Sequence, residues 1–361
     1  MRITFAVTNE LNYDQRMIRI CNSLSHSGFE VKLIGVKFKN STSLQEKNYA
    51  QKRLKVFAEK GFGFYLEYNI KLFFFLLFQK VDILCCIDLD TMLPVYCASV
   101  LKGKKRVYDA HEYFSQQKEV MTRRFIYRFW HFLEKRFIPK FPNGYTVSQG
   151  VAEAFQKHYG VNYRVIRNLP LLKPLAEKFP EEKNIIYRGS VNEGRGFEFL
   201  IPAMKNVDRK LIVYGDGNFL HQAKLLVNEN GLENKVFFKG KILPRDLDRV
   251  TQDAFIGINL VEAIGDNQVL SLANKFFDYI QNGIPHVTMN FSEYKKINDE
   301  YEVALLLDEL SVSSVSKAIN ELFGNKELHL RLRQNCLKAR EVYNWQNEEK
   351  NLIDFYRQCN K

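Results

Sequence analysis

No stretch of this 361-residue chain approaches the roughly 20 consecutive apolar residues that cross a bilayer, so no membrane-spanning helix is expected. Cysteine is sparse and unpatterned. Cys21, Cys85, Cys86, Cys97, Cys336 and Cys359 form no C-x-x-C pair and lie mostly in apolar surroundings, which fits reduced structural thiols rather than a zinc ribbon or a disulfide framework. The opening Met1–Val7 turns polar too soon for a secretory leader, and the expected location is the cytosol. A P-loop lysine motif and a G-x-S-x-G elbow are both missing. Gly215-Asp216-Gly217 begins like a dinucleotide fingerprint, but its third glycine would fall at Leu220, which argues against hydride transfer to NAD. There is no internal repeat, and no low-complexity tract beyond Phe73-Phe74-Phe75.

What is present reads as a globular α/β chain. With 46% apolar and 26% charged residues, and a length beyond what one core usually organises, two domains are expected. Strand-like runs at 2–7, 30–36, 83–87, 106–108 and 144–147 alternate with helical patterns, and a second set follows at 184–187, 210–214, 235–238, 254–260 and 286–289. That alternation predicts two doubly wound parallel sheets with ligands at the carboxyl ends of the strands. Asp14–His26 carries Met17, Ile18, Cys21 and Leu24 at a helical period, with Gly28 to end it. The prolines of Arg167–Pro174 suit a linker between the sets.

The net charge of +12 favours an anionic partner: a nucleotide, a phosphate-linked acceptor or an acidic membrane surface. Nucleic acid is not expected, since no helix-turn-helix, zinc-finger or RNA-recognition signature accompanies the charge. Basic residues concentrate in Met121–Lys140, where Arg123, Arg124, Arg128, Lys135, Arg136 and Lys140 interleave with aromatics. Two readings fit: an interfacial helix on an anionic membrane, or a core-packed helix whose arginines are merely solvated.

The most informative segment is Asn274-Lys275-Phe276-Phe277-Asp278-Tyr279 followed by Gly283-Ile284-Pro285. A helix from near Ala273, after an irregular stretch 261–270, presents Asn274 and Asp278 on one face. Gly283 suits the left-handed position past its end, and Pro285 bars continuation. A carboxylate there can accept hydrogen bonds from a ribose diol while first-turn N–H groups meet a diphosphate. The alternative is an ordinary amphipathic helix with a good C-terminal cap.

Around that segment the chain resembles glycosyltransferase family 4. The resemblance is carried by Val107-Tyr108-Asp109-Ala110-His111-Glu112, Tyr145-Thr146-Val147-Ser148, Ile186-Tyr187-Arg188-Gly189 with Arg195-Gly196, Val213-Tyr214-Gly215-Asp216-Gly217 and Val236-Phe237-Phe238-Lys239-Gly240. It implies the GT-B fold of two facing Rossmann-like domains. The N-terminal one, 1–169, would bind acceptor, and the C-terminal one, 170–340, the nucleotide-sugar donor. A terminal helix within 341–361 would return to the first domain.

The resemblance also implies roles. His111, at a strand end, would face the reacting sugar and phosphate, and Arg195 would hold the diphosphate. Asp278 would take the ribose, and backbone around Lys239–Leu243, including Ile242, would read the base. Gly189, Ser190, Gly217, Asn274 and Lys275 complete the expected donor-binding set, with no cofactor and no metal ion. Two positions depart from the family pattern: Ser190 stands where an arginine is expected, and Leu270 where the first of two paired acids would fall. Arg188 could compensate for the first and Glu262 for the second. Asp88-Leu89-Asp90 has the D-x-D form of a metal motif, but its place in the first domain suits the acceptor side, for which Asp14 and Arg16 are further candidates. The expected activity is retaining transfer to a lipid-linked or other glycan acceptor in surface polysaccharide synthesis, at the inner face of the cell membrane. The alternative is a GT-B-shaped subunit that binds nucleotide or a partner without turnover.

Overall fold

The computed structural model describes residues 1–175 and 183–359. The chain divides into two compact units, Met1–Asn168 with Asn347–Lys361, and Leu169–Gln346; the last two residues of the first lie outside the described residues.

The first unit is built on a parallel sheet of β1 (Arg2–Ala6), β2 (Glu30–Lys37), β3 (Ala50–Lys55), β4 (Ile83–Ile87), β5 (Lys105–Ala110), β6 (Asn143–Thr146) and β7 (Arg164–Val165), in the order β3-β2-β1-β4-β5-β6-β7. The run Ile-Leu-Cys-Cys-Ile of β4 is buried throughout, as a central parallel strand covered on both faces requires. The first helix, Gln15–His26, is capped by the Asp14 carboxylate accepting from the Met17 N–H, and Gly28 leaves it at φ 86°.

The second unit repeats the plan with β8 (Ile185–Arg188), β9 (Leu211–Tyr214), β10 (Val236–Gly240), β11 (Ile256–Asn259), β12 (His286–Met289) and β13 (Ala304–Leu307), ordered β10-β9-β8-β11-β12-β13. Strand order therefore reverses between β1 and β4 in one unit and between β8 and β11 in the other. Such switch points open a crevice at the carboxyl ends of the strands. The helix Asn274–Gln281 lies over the second one. Its Tyr279 ring covers Gly257 of β11, where an added Cβ would come 2.7 Å from the ring. The Tyr279 hydroxyl donates to the Ile186 carbonyl (3.2 Å) or the Ile258 carbonyl (3.1 Å), which ties the helix to β8 and β11. Gly283 follows at φ 66°, the left-handed value expected of it.

The helix Trp345–Cys359 belongs to both units. Its Trp345 N–H donates to Pro170 O (2.8 Å) in the second. Near its other end, in the first unit, the Tyr356 ring packs against Phe5 and Tyr145 and its hydroxyl lies 3.2 Å from that of Tyr145.

Three strands were not expected from the sequence: β3, a basic edge strand, β7, of two residues, and β13. The stretch 261–270 is not wholly irregular, since Asp266–Leu270 is a short helix. Met121–Lys140 is not one helix either. Lys118–Met121 and Arg124–Phe137 are separated at Thr122 and Arg123, and a 3-10 turn, Ile138–Lys140, follows, with Pro139 inside it.

Candidate functional site

In the second unit the loops leaving β8, β9 and β10 are laced together at the strand ends. Gly189 N–H donates to Tyr214 O (3.0 Å), Val191 N–H to Asp216 O (3.0 Å) and Gly215 N–H to Gly240 O (2.9 Å). The approach requires glycine: a Cβ on Gly215 would sit 1.8 Å from Gly189 O, and one on Gly217 2.4 Å from Val191 O. Ser190 is exposed at the end of β8, and its carbonyl accepts from the Tyr187 hydroxyl (2.6 Å). Ile242 is half-buried in the loop after β10.

Arg188, which could stand in for Ser190, is engaged within the protein. As the last residue of β8 it points to the face opposite Tyr187, and its guanidinium is spent on Asp278 (3.2 Å), Thr251 (3.1 Å) and Asp248 (3.6 Å). Asp278 is thus held in a largely buried ion pair. A carboxylate has about four acceptor positions, so this pairing is compatible with ribose hydroxyls as well. The contributions of Thr251 and Asp248 were not legible, because nothing local in the sequence links them to β8.

Arg195 is half-buried, four residues beyond Val191, and forms no ion pair with a described residue. Close to it lies Lys275, only 8% exposed. Its Cε would meet a Cβ on Gly189 at 4.0 Å, its Nζ stands 3.8 Å from the centroid of the Tyr187 ring, and that Nζ has no hydrogen-bond partner among the described residues. Burial, reinforced by the like charge of Arg195, drives the Lys275 ammonium well below the usual lysine range. Asn274 is exposed at the start of the helix, and Ala273 supplies no side-chain cap to its first turn. The Glu262 N–H donates to Gly194 O (2.9 Å), which sets Glu262 next to the Arg195 loop, while Leu270 ends the short helix as a half-buried apolar residue. The structure therefore gathers Gly189, Ser190, Arg195, Gly217 and Lys275, with Asp278 one turn further along the helix.

The first unit carries its own charged array at the ends of β4 and β5. Arg16, buried, donates to Asp109 (3.0 Å) and to Ile166 O (3.2 Å). Asp109 in turn lies 3.0 Å from His111 Nε2, and Asp88 lies 3.7 Å from His111 Nδ1. Arg16 is thereby a support for Asp109, not an exposed acceptor contact, and Asp14 is occupied as a cap. Asp88 holds φ 54° and ψ −178°, a conformation that costs a non-glycine residue about 1–3 kcal/mol, and its carboxylate accepts the His111 N–H (2.9 Å). Asp90 accepts from the Thr8 hydroxyl (2.6 Å).

Burial alone would push His111 down, yet the carboxylates of Asp109 and Asp88 hold it above its ordinary value. Burial would likewise raise Asp109, but Arg16 and His111 keep it below the usual carboxylate range. Asp88 goes the other way: burial lifts it to about 7 against the opposing pull of His111, and Asp90 to about 6. The array can present a protonated imidazole, hence a hydrogen-bond donor, at the strand end.

Residues 15–169 match the family model for Glycosyltransferase Family 4, and residues 173–339 that for Glycosyl transferases group 1. No curated protein sequence matches the chain. Among solved structures, sucrose-phosphate synthase from Thermosynechococcus elongatus is 14% identical and covers 99% of this chain and 98% of its own, with a TM-score of 0.83. HepE from Anabaena, solved with UDP and glucose, is 13% identical over 99% of both chains, at 0.78. WaaG, a glycosyltransferase involved in lipopolysaccharide biosynthesis, is 15% identical over 98% of both, at 0.74. At such identities the likeness is one of fold, GT-B with its two Rossmann-like domains.

The first-unit array makes stability depend on pH. Asp88 and His111 both bind protons more tightly in the folded protein than in the unfolded chain, so the folded state loses stability as pH rises. For Asp88 the fall runs from the ordinary aspartate value, about 4, to about 7. The contribution of His111 is complete below about 6.5 and is lost through its raised value. Urea denaturation at pH 5 and pH 8 should show the wild type less stable at pH 8, and Asp88→Asn should reduce the difference by about 1–2 kcal/mol.

Proposed function

Because the chain belongs to the family 4-like glycosyltransferases of GT-B fold, we propose that it is a retaining enzyme that moves a hexosyl or N-acetylhexosaminyl group from a nucleoside-diphosphate sugar to a lipid-linked glycan during surface polysaccharide synthesis. The observation that carries the reading is the Arg195 guanidinium beside the buried amine of Lys275 near the end of β8, with the uncapped start of a helix and the close-packed loops of Gly189 and Gly217. A diphosphate satisfies both the charge and the N–H groups there. Asp278 would accept from the ribose hydroxyls, and the main chain near Ile242 would meet the base. HepE has been solved with UDP and glucose, which supports a nucleotide-sugar donor, and the role of WaaG in lipopolysaccharide synthesis supports a surface glycan as product.

In the chemical step the bond from the anomeric carbon to the diphosphate oxygen breaks, and a bond from the acceptor oxygen forms on the same face. The departing diphosphate takes the acceptor proton. Arg195 and the helix N–H groups stabilise the charge that develops on the leaving group, with no metal ion required by this scheme. His111, whose protonated form is favoured by its carboxylates, would donate to a sugar hydroxyl or phosphate oxygen.

A lipid-linked acceptor calls for contact with the membrane surface at the inner face. No helix among the described residues is long and apolar enough to cross a membrane. The first unit instead exposes apolar side chains beside positive charge. On the helix Arg124–Phe137, Phe125 is 83% exposed and Phe132 61%, with Arg124, Arg128 and Lys135 also exposed. The core-packed reading therefore fails for these aromatics. Tyr65 meets Trp130 edge-on at 5.7 Å, joining this helix to Gly61–Leu77, which exposes Phe62, Leu66, Ile70 and Phe74. Apolar insertion with basic flanks suits reversible docking on anionic lipid.

Arg195→Ala should weaken nucleoside-diphosphate binding by about 1.5–3 kcal/mol in calorimetric titration, the value of a hydrogen bond to a charged group; unchanged affinity removes Arg195 from the site. His111→Ala should depress the single-turnover transfer rate far more than nucleotide affinity, and proton NMR of the wild-type product should show the donor's anomeric configuration. Nucleotide binding with no transfer across a broad donor and acceptor panel supports the non-catalytic alternative. Sedimentation with liposomes should show binding to anionic but not neutral vesicles, weakening with salt and on charge reversal of Arg124 and Arg128. Equal binding to both, or none, contradicts the docking surface.

A further inference from the structure

A lysine nine-tenths buried without an acceptor is costly, and here the cost is compounded by a neighbouring arginine. Among the described residues, Lys275 Nζ meets the face of Tyr187 and no hydrogen-bond acceptor. The lysine reaches that ring over Gly189, at the strand end where Ser190 brings no charge. We propose that Lys275 supplies the second positive charge to the donor diphosphate, in the role that residue 190 cannot fill, and that it takes up one proton from solvent as the diphosphate binds.

The inference rests on the donor-site reading of this unit. The groups facing Lys275 decide its protonation. Tyr187 from β8 is a neutral ring whose hydroxyl is committed to Ser190 O. Arg195 from the following loop repels a second cation. On its own helix, Asp278 is the nearest acid, and its charge is met by Arg188. Arg333 and Arg340, on the helix Lys326–Val342, point to the Gly283 and Lys173 carbonyls and so away from the strand ends, and His286 of β12 bonds the Ile284 carbonyl. No facing carboxylate among these is left to hold an ammonium. A diphosphate reverses the balance, because its negative charge favours the protonated amine, and the Tyr187 face then accepts that cation. The balance is one amine lone pair, one proton from the buffer and one new ammonium-to-phosphate contact.

The test is calorimetric titration of the full chain at pH 8 with UDP, GDP, ADP, CDP and dTDP, each in buffers of low and high protonation enthalpy. The binding nucleotide should draw close to one proton per site. Lys275→Met should abolish that uptake and weaken binding about tenfold or more. Lys275→Arg, charged at every pH, should bind without uptake. Binding with no proton exchange in the wild type, or uptake that persists in Lys275→Met, overturns the inference and leaves the donor site standing. Binding of none of the five nucleotides overturns the donor site itself and the inference with it.

Discussion

Tyr279 laid on Gly257 fixes the helix Asn274–Gln281 across the end of β8, and the rest of the candidate site in the second unit depends on that placement. With the helix pinned by the Tyr279 hydroxyl, Arg188 can meet Asp278 at 3.2 Å, and Lys275, nearly one turn earlier, is carried over Gly189 to Tyr187. A side chain at 257 would lift the helix and break all three relations together. The glycines at 189, 215 and 217 serve the same end, letting three loops close on each other so that basic side chains gather where strand order reverses.

The two units solve a similar electrostatic problem in opposite ways. In the second, Arg195 stands in the loop after β8 with no ion-pair partner among the described residues, and burial disfavours the charged form of the neighbouring Lys275. In the first, carboxyl groups gather at the strand ends. Asp88 and Asp109 flank a single imidazole, with Arg16 buried behind, and favour its protonated form, while Asp88 holds a strained backbone. Under the proposed function, this contrast suits a nucleoside diphosphate on the second unit and a hydroxyl-bearing acceptor on the first. The exposed phenylalanines of the first unit fall on the same body as this array.

Much of this was legible in the sequence, because parallel strands buried on both faces leave continuous apolar runs, and because helix ends carry local signals such as Asp14 and Gly283. Strands with weak signals escaped. β3 is written Ala-Gln-Lys-Arg-Leu-Lys, as an edge exposed to water permits, and β7 is too short for any period. The break at Thr122 and Arg123 has no proline or glycine to announce it. Among site residues, the local motifs located Gly189, Arg195, His111 and Asp278 at strand ends or on the helix over them. The direction of Arg188 was set by strand alternation and by partners sixty to ninety residues away, which only the fold brings near. The isolation of Lys275 was equally invisible, since nothing in Asn-Lys-Phe-Phe-Asp-Tyr distinguishes a solvated lysine from one folded over a glycine.

The account centres on a nucleoside-diphosphate site in the second unit, and thermal denaturation against a panel of nucleotides and their sugars tests it most directly. A ligand that binds only the folded state adds about 2.7 kcal/mol when present at a hundred times its dissociation constant, enough for an unmistakable rise in Tm. The account predicts that UDP, GDP, ADP, CDP and dTDP separate, with one base and its sugar conjugates raising Tm in step with the logarithm of concentration. A melting temperature unmoved by every nucleotide and nucleotide sugar at millimolar concentration would contradict it.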